Sequence, residues 1–450
     1  MTQAVKALPT AAEAKLAADF ADARKVLPGS GAVHALRTAA FDSFVVAGLP
    51  SRRVEAWHYT DLRGALREAL PMAAQPPASA TSALRVRLEK LVPRIAGLKT
   101  WRLVLVDGYF IADLSDAAAL PKGVRVMSLA DALVCGDAAA VELLAARGLG
   151  ESDVALALNT AFMQGGVLVD IAQNTTLEQP LEIVSLSSGA VGQAVYARSA
   201  LRVSKGAQVT LIESEACESM TAEHRNCALV IAVGEGASVE HVFVPAPLAS
   251  GSTYVASLMT TLAASANFNS FTLALGGGLL RRQAFMRFDG AQGRGQLAGA
   301  SLLKGKDHAD TTLIVQHVAP HCHSREYFKT VLDGDATGVY QGKVSVAPGA
   351  QKTDGAMKSH AILLSDGASM NNKPELEIFA DDVVCGHGAT VAQLDDDQVF
   401  YAMARGLPKE DAQAMLLEAF VDEATDRVEN EALRAHLTTL IGAWLSARRS

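Results

Sequence analysis

Residues 373–400 read KPELEIFADDVVCGHGATVAQLDDDQVF. The stretch holds a strand-like run that carries Cys385 and His387 two residues apart, each followed by glycine. It ends on Asp395, Asp396 and Asp397, where the pattern turns helical. Alternate residues of a strand project from one face, roughly 6–7 Å apart along the chain. One thiol and one imidazole therefore point the same way, close enough to meet at one metal. Zinc, copper and iron–sulfur centres generally take three or four protein ligands, so the pair reads as half of a site. Gly386 and Gly388 leave room for another backbone to approach. The other half is expected on a second chain.

Upstream, from about Gly165 to Leu394, short alternating runs dominate. They include Leu181–Leu186, Ala200–Val203, Gln208–Glu213, Ala228–Val233, Ser238–Val244, Ser270–Leu275 and Thr311–His317. Gly-Ala pairs recur at turns before or beside these runs, at Gly206, Gly236, Gly349, Gly367 and Gly388. Their spacing is irregular but solenoid-like. The spacing is 30, then 18 and 21 where consecutive, and a coil of that length cannot bury its own apolar face and must stack on its neighbours. A parallel β-helix fits this pattern, and periodicity alone leaves a jelly roll or another sandwich open.

The flanks differ. Residues 1–160 read as a helix-rich N-terminal domain, beginning with a capping box at Thr10 and Glu13 ahead of Leu16 and Phe20. Pro28 to Gly31 ends that helix, and a second spans Ala32 to Ala47 until Gly48-Leu49-Pro50 stops it. A hairpin follows, Trp101–Val106 and Tyr109–Leu114 about an Asp107-Gly108 turn, then a helix over Leu129–Arg147. After a core at 161–396, residues 397–450 return to helix. The three aspartates suit the positive end of a helix dipole. A short helix spans Val399–Leu407, and Pro408 suits the first turn of the next. That helix carries Met415, Leu416, Ala419 and Phe420 on one face. The last carries Leu433, Leu437, Leu440, Ile441, Trp444 and Leu445. These stripes fit helices that close the open end of the solenoid, a reading that does not exclude a partner on the same helices.

The 450 residues suffice for two or three domains and a large core. Half are hydrophobic, yet no apolar run is long enough for a spanning helix, and the N-terminus lacks the apolar region of a secretory signal. A net charge of −8 without a basic block argues against nucleic acid as partner. Five cysteines without a C-x-x-C pair describe no disulfide framework, so a reducing cytoplasm is expected. There is no Walker A loop and no G-x-S-x-G elbow, and Gly276-Gly277-Gly278 is a turn without a dinucleotide-site setting.

Two ordered segments carry a family resemblance. From His317 the chain reads HVAPHCHSREYFKTVLDGDATGVYQGKVSV, then AQKTDG at Ala350–Gly355, PELEIFADDVVCGHGATV and DQVFYAMARGL. Near the start it reads GLPSRRVEAWHYTDL at Gly48–Leu62. Both resemble the SufB/SufD family of iron–sulfur cluster assembly proteins. The CGHGAT form, and the lack of an N-terminal cysteine cluster, place it nearer the SufD branch than the SufB branch. The resemblance implies a mainly β chain with a right-handed parallel β-helix core, which decides between solenoid and sandwich. It implies a non-catalytic scaffold that pairs with SufB through the β-helix and carries the SufC ABC-type ATPase on its C-terminal helices. SufC would supply ATP hydrolysis, and its dimerisation would strain or open the scaffold interface. A sulfur-donor system is a further implied partner. His387 is implied as this chain's contribution to a transient iron–sulfur cluster or iron at the interface. Cys385 shares its face, but a small buried hydrophobe reads equally well there.

Other constellations read more plainly. Asp381 and Asp382 point to opposite faces if extended, so they cannot act as a carboxylate pair; one capping a turn and one solvated fits better. His317, His321, Cys322 and His323 offer four donors in seven residues, suited to zinc or copper. Pro320 interrupts them, however, and the family pattern shares only His317, Ala319, Pro320 and Ser324. Cys217, His224 and Cys227 fit no zinc framework and read as turn residues. Asp354 in QKTDG could anchor a turn. Two other classes stay open: a β-helix polysaccharide lyase or hydrolase, which needs a charged groove, and a cupin-like metalloenzyme, which needs ligands converging within one barrel.

Overall fold

A computed structural model describes residues 8–29, 31–145, 148–189, 192–218 and 221–448. The strands are β1 (Trp101–Val106), β2 (Tyr109–Phe110), β3 (Val124–Ser128), β4 (Val167–Ile171), β5 (Leu181–Leu186), β6 (Ala194–Val203), β7 (Gln208–Ala216), β8 (His224–Val233), β9 (Ser238–Val244) and β10 (Thr253–Leu262). There follow β11 (Asn267–Ala274), β12 (Leu279–Phe288), β13 (Arg294–Leu303), β14 (His308–His317), β15 (His323–Leu332), β16 (Thr337–Val346), β17 (Asp354–Leu363), β18 (Ser369–Ile378) and β19 (Val384–Ala392). The α-helices are α1 (Ala11–Ala23), α2 (Ala32–Ala47), α3 (Leu62–Ala65), α4 (Thr81–Leu91), α5 (Leu129–Cys135), α6 (Ala138–Ala145), α7 (Val154–Phe162), α8 (Asp396–Ala404), α9 (Lys409–Thr425) and α10 (Glu431–Ala447).

From β4 onward successive strands alternate between two sheets. Even-numbered β4 to β18 form one and odd-numbered β5 to β19 the other, each strand parallel to its neighbours in the sheet. Two strands to a coil give a parallel β-solenoid of about eight turns, not a sandwich. One coil is 29 residues where His308 faces Thr337 and 30 where Asp354 faces Val384. At the other end β1 extends the odd sheet in parallel, while β2 and β3 pair antiparallel to β1 and β4.

The alternation of apolar residues builds the interior. Leu229, Ile231 and Val233 of β8 face inward onto the same column of side chains as Leu201 and Val203 of β6, all in one continuous core. Each such side chain, once buried, contributes about 1.5–3 kcal/mol. Small residues stack at one corner, where Ala207, Ala237 and Ala266 are almost fully buried. The 30-residue step from Gly206 to Gly236 is therefore one coil. The pairs at Gly349 and Gly367 sit on different corners, ahead of β17 and β18, so their separation is not a coil length. Gly388-Ala389 lies inside β19 rather than at a turn.

The N-terminal helices pack on the even sheet through Phe20, Phe41, Phe44, Trp57 and Phe162, which meet Tyr196 and Val255. Both arms of the Thr10–Glu13 capping box form, and α2 spans the expected residues; Ser30, just ahead of it, lies outside the described residues. The hairpin forms, but its second strand is only Tyr109–Phe110 and a 3₁₀ turn takes up Ala112–Leu114. The helix expected over Leu129–Arg147 divides into α5 and α6, because Gly136 adopts φ +67° and ends the first turn-run; Arg147 lies outside the described residues.

The C-terminal helices lie along the flank of the odd sheet. Asp395 caps α8 by accepting from the amides of Asp397 and Gln398, and Pro408 is the cap of α9 rather than its first turn. α9 buries Ala412, Leu417, Val421 and Ala424, a face turned from the expected one, and Met415 is exposed. α10 buries Leu433, Leu437, Ile441, Trp444 and Leu445 as expected. Both pack on Phe271, Ala298, Ala300 and Val331, so they do not close the end of the solenoid. In the last coil β18 is mostly half-buried and β19 largely exposed.

Candidate functional site

Cys385 and His387 stand on β19, the edge strand of the odd sheet, whose neighbour is β17. Register sets Cys385 beside Gly355 and His387 beside Met357. Met357 is fully buried in the solenoid core, and paired residues of parallel strands share a face, so both side chains stand on the interior face of the last coil. Cys385 is half-buried against that core, whereas His387 is exposed, as no further coil covers it. Burial pushes the Cys385 thiol above its ordinary pKa. A Cβ built on Gly386 or Gly388 would meet nothing within 4 Å, so the opposite, outer face of β19 is open to a partner backbone as well.

The floor beneath the pair joins apolar Met357 to a polar pocket. A Cβ built on Gly355, beneath Cys385, would stand 3.5 Å from Ser324 Oγ and 3.6 Å from Cys385 Sγ. Glu326, one rung below Met357, is fully buried, and burial pushes its carboxyl up to about 8. Among the described residues, both its oxygens, Ser324 Oγ and Tyr340 Oη lack a hydrogen-bond partner. The sequence carried no signal for this interior acid beyond an unexplained Glu in a strand.

The open end also exposes Phe379, Val384 and Val391 beside an unpaired strand edge, a surface of the kind that soluble proteins cover or pair. On α8 and the turn after it, Phe400, Tyr401, Met403 and Leu407 are exposed too.

The structure disperses the other candidates. His317 is buried inside the solenoid, stacked 4.4 Å from the Phe288 ring, and desolvation lowers its pKa to about 4. His321 takes φ +60° in the corner, Cys322 donates to the Gly290 carbonyl at 3.3 Å, and His323 begins β15. His224 and Cys227 are strand residues of β8, not turn residues as expected, and His224 Nδ1 meets Thr253 Oγ1 at 2.9 Å. Among the described residues no three His, Cys, Asp or Glu side chains are grouped to hold a metal ion. Asp381 and Asp382 lie in the bend before β19. Asp382 pairs with Lys352, and its amide donates to Gln351 Oε1 at 2.9 Å. Asp354 clamps Arg325 at 2.7 Å, a side-chain ion pair in place of the turn anchor expected of it.

The family model for the SUF system FeS cluster assembly SufBD core domain matches residues 185–420. The chain belongs to the SufB/SufD family. The model for the SufBD protein N-terminal region matches residues 11–183, so the family assignment covers nearly the whole chain. The iron–sulfur cluster assembly protein SufD of Escherichia coli is 29% identical over 401 residues, 88% of this chain and 89% of that one. An iron–sulfur cluster assembly SufBD family protein of Synechocystis is 29% identical over 412 residues, 89% of this chain and 88% of its own. One of Mycobacterium leprae is 26% identical over 286 residues, covering 62% and 71%. This SufB/SufD family member is therefore SufD-like. No helix among its described residues is long and apolar enough to cross a membrane.

Proposed function

We propose that this chain is the SufD-like scaffold subunit of a SUF assembly complex. It pairs with a SufB paralogue across the open end of its solenoid and carries no catalytic chemistry of its own. The nascent iron–sulfur cluster or iron is cargo held at that junction. His387 supplies an imidazole nitrogen to it, and Cys385 stands behind as a second donor from the same face. One observation carries this reading: the interior face of the last coil presents His387 and Cys385 together at an uncovered strand edge. A SufC-type ABC ATPase docks on the C-terminal segment, where Phe400, Tyr401, Met403 and Leu407 offer an apolar patch. ATP hydrolysis belongs to that partner.

Affinity purification of the tagged chain from its native host tests the assignment. A homologous SufB-type chain and an ABC ATPase are expected in stoichiometric yield. Recovery of the chain alone under gentle conditions, with neither partner bound on addition, contradicts it.

A further inference from the structure

We infer that in the isolated chain the last coil, β18 and β19, opens and closes as one unit while the coils beneath it stay folded, and that a docked partner edge holds it shut. The second half of this statement rests on the assembly proposed above. The two ends of the solenoid differ. At the first, the antiparallel strands β2 and β3 extend the sheets, and Phe110, Ala117, Leu120, Val124 and Val126 pack against the core. At the last, the C-terminal helices run along the flank and β19 is exposed over nearly its whole length. A solenoid coil is held by its neighbours, so a coil with a neighbour on one side alone is the least stable.

Burial shows the difference strand by strand. In β16 the inward residues Tyr340, Val344 and Val346 are at most 1% exposed. Their partners in β18, Asn372, Leu376 and Ile378, are none of them fully buried. Pro374 has no amide to give to a ladder, and Gly386 and Gly388 leave two positions of β19 without side-chain packing. Three ion pairs fasten the coil: Lys373 to Glu55, Lys352 to Asp382, and Lys343 to Glu377 at 2.6 Å. Each has one side chain at least 45% exposed, where such a pair contributes little. The unit is bounded, because Ile362 and Leu364 before it and Leu394 after it pack with the flank helices. Opening uncovers Met357 and Val344 beneath, so the closed form is the ground state. Cys385 and His387 both lie in the unit, and partner docking therefore fixes the donors in place.

Hydrogen exchange of the full chain, followed by mass spectrometry, tests this. Hydrogen-bonded amides of β18 and β19 should exchange together, at least a hundredfold faster than those of β14 and β15. Those of β4 and β5, at the capped end, should match the middle coils. Lys373→Met, which removes the link to Glu55, should speed exchange of the last coil about threefold and leave β14 and β15 unchanged. A bound SufB-type chain should slow the last coil at least tenfold. Last-coil amides as protected as those of β14 and β15 overturn the inference, as does a bound SufB-type chain that leaves their exchange fast. Failure of that chain to bind removes the proposed assembly instead, and exchange in the isolated chain still decides whether the coil opens alone.

Discussion

The guanidinium of Arg281 lies 3.8 Å from the centre of the Trp57 ring and bonds Asp310 at 2.5 Å. Trp57 belongs to the segment VEAWHYTDL, and Thr60 of the same segment bonds His308 and Asp310 on the even sheet. The N-terminal family signature is thus a latch that fixes the helical region to the solenoid. Trp57→Ala should cost about 3–5 kcal/mol, the range for emptying a buried tryptophan site. Urea denaturation measures it, and a loss below about 1 kcal/mol speaks against the latch.

At the open end, Gly386→Val and Gly388→Val should leave folding stability within about 0.5 kcal/mol, since the added side chains meet nothing in the isolated chain. Their effect should fall on assembly. Size-exclusion chromatography with the SufB-type partner is expected to show weakened pairing, and an unchanged complex would mean that no partner backbone passes there.

Glu326 predicts a pH dependence with a definite sign. Its carboxyl titrates near 8 when folded against an ordinary 4.5. Between those values it is protonated in the folded chain and ionised in the unfolded one, so unfolding releases a proton and stability falls as pH rises through this window. The loss is on the order of 5 kcal/mol over the full range, at about 1.36 kcal/mol per unit. Glu326→Gln should flatten that part of the stability curve, as read from denaturation midpoints at pH 5 to 9.

The proposed ATPase-docking surface is tested by substitutions rather than truncation. Removing everything after Leu407 would also remove Leu417, Val421, Leu433, Leu437 and Ile441 from the odd sheet and expose its outer face. Phe400→Ser with Tyr401→Ser alters exposed side chains and removes only the exposed Arg405 contact to Tyr401. The double variant should fold with unchanged thermal stability and lose at least tenfold in affinity for a SufC-type ATPase by calorimetry; retained affinity would move the docking site elsewhere.

The solenoid was legible because inward apolar residues alternate, as in Ser238–Val244, whose ends agree with the structure. Strand starts were missed where charged or polar residues face inward or into a helix interface. β8 was read from Ala228 although it begins at His224, because Arg225 turns into the interior and Asn226 bonds the helical region through the Ala155 carbonyl. β6 hid behind Arg198, which donates to Asn159 and the Leu144 carbonyl. The shared face of Cys385 and His387 followed from strand period alone. The place of the last helices did not, because an apolar stripe specifies burial without specifying whether flank or end receives it. Glu326 was illegible for the same reason: only the register of β15 under β17 puts it below the site.

The most direct test of the central claim is cluster yield in the assembled complex with His387→Ala. His387 is exposed, so the variant should fold and bind its partners as the wild type does. Iron and sulfide per complex, together with the visible absorption of the cluster after reconstitution, should fall to background. A folded, fully assembled His387→Ala complex with wild-type cluster content would contradict the account.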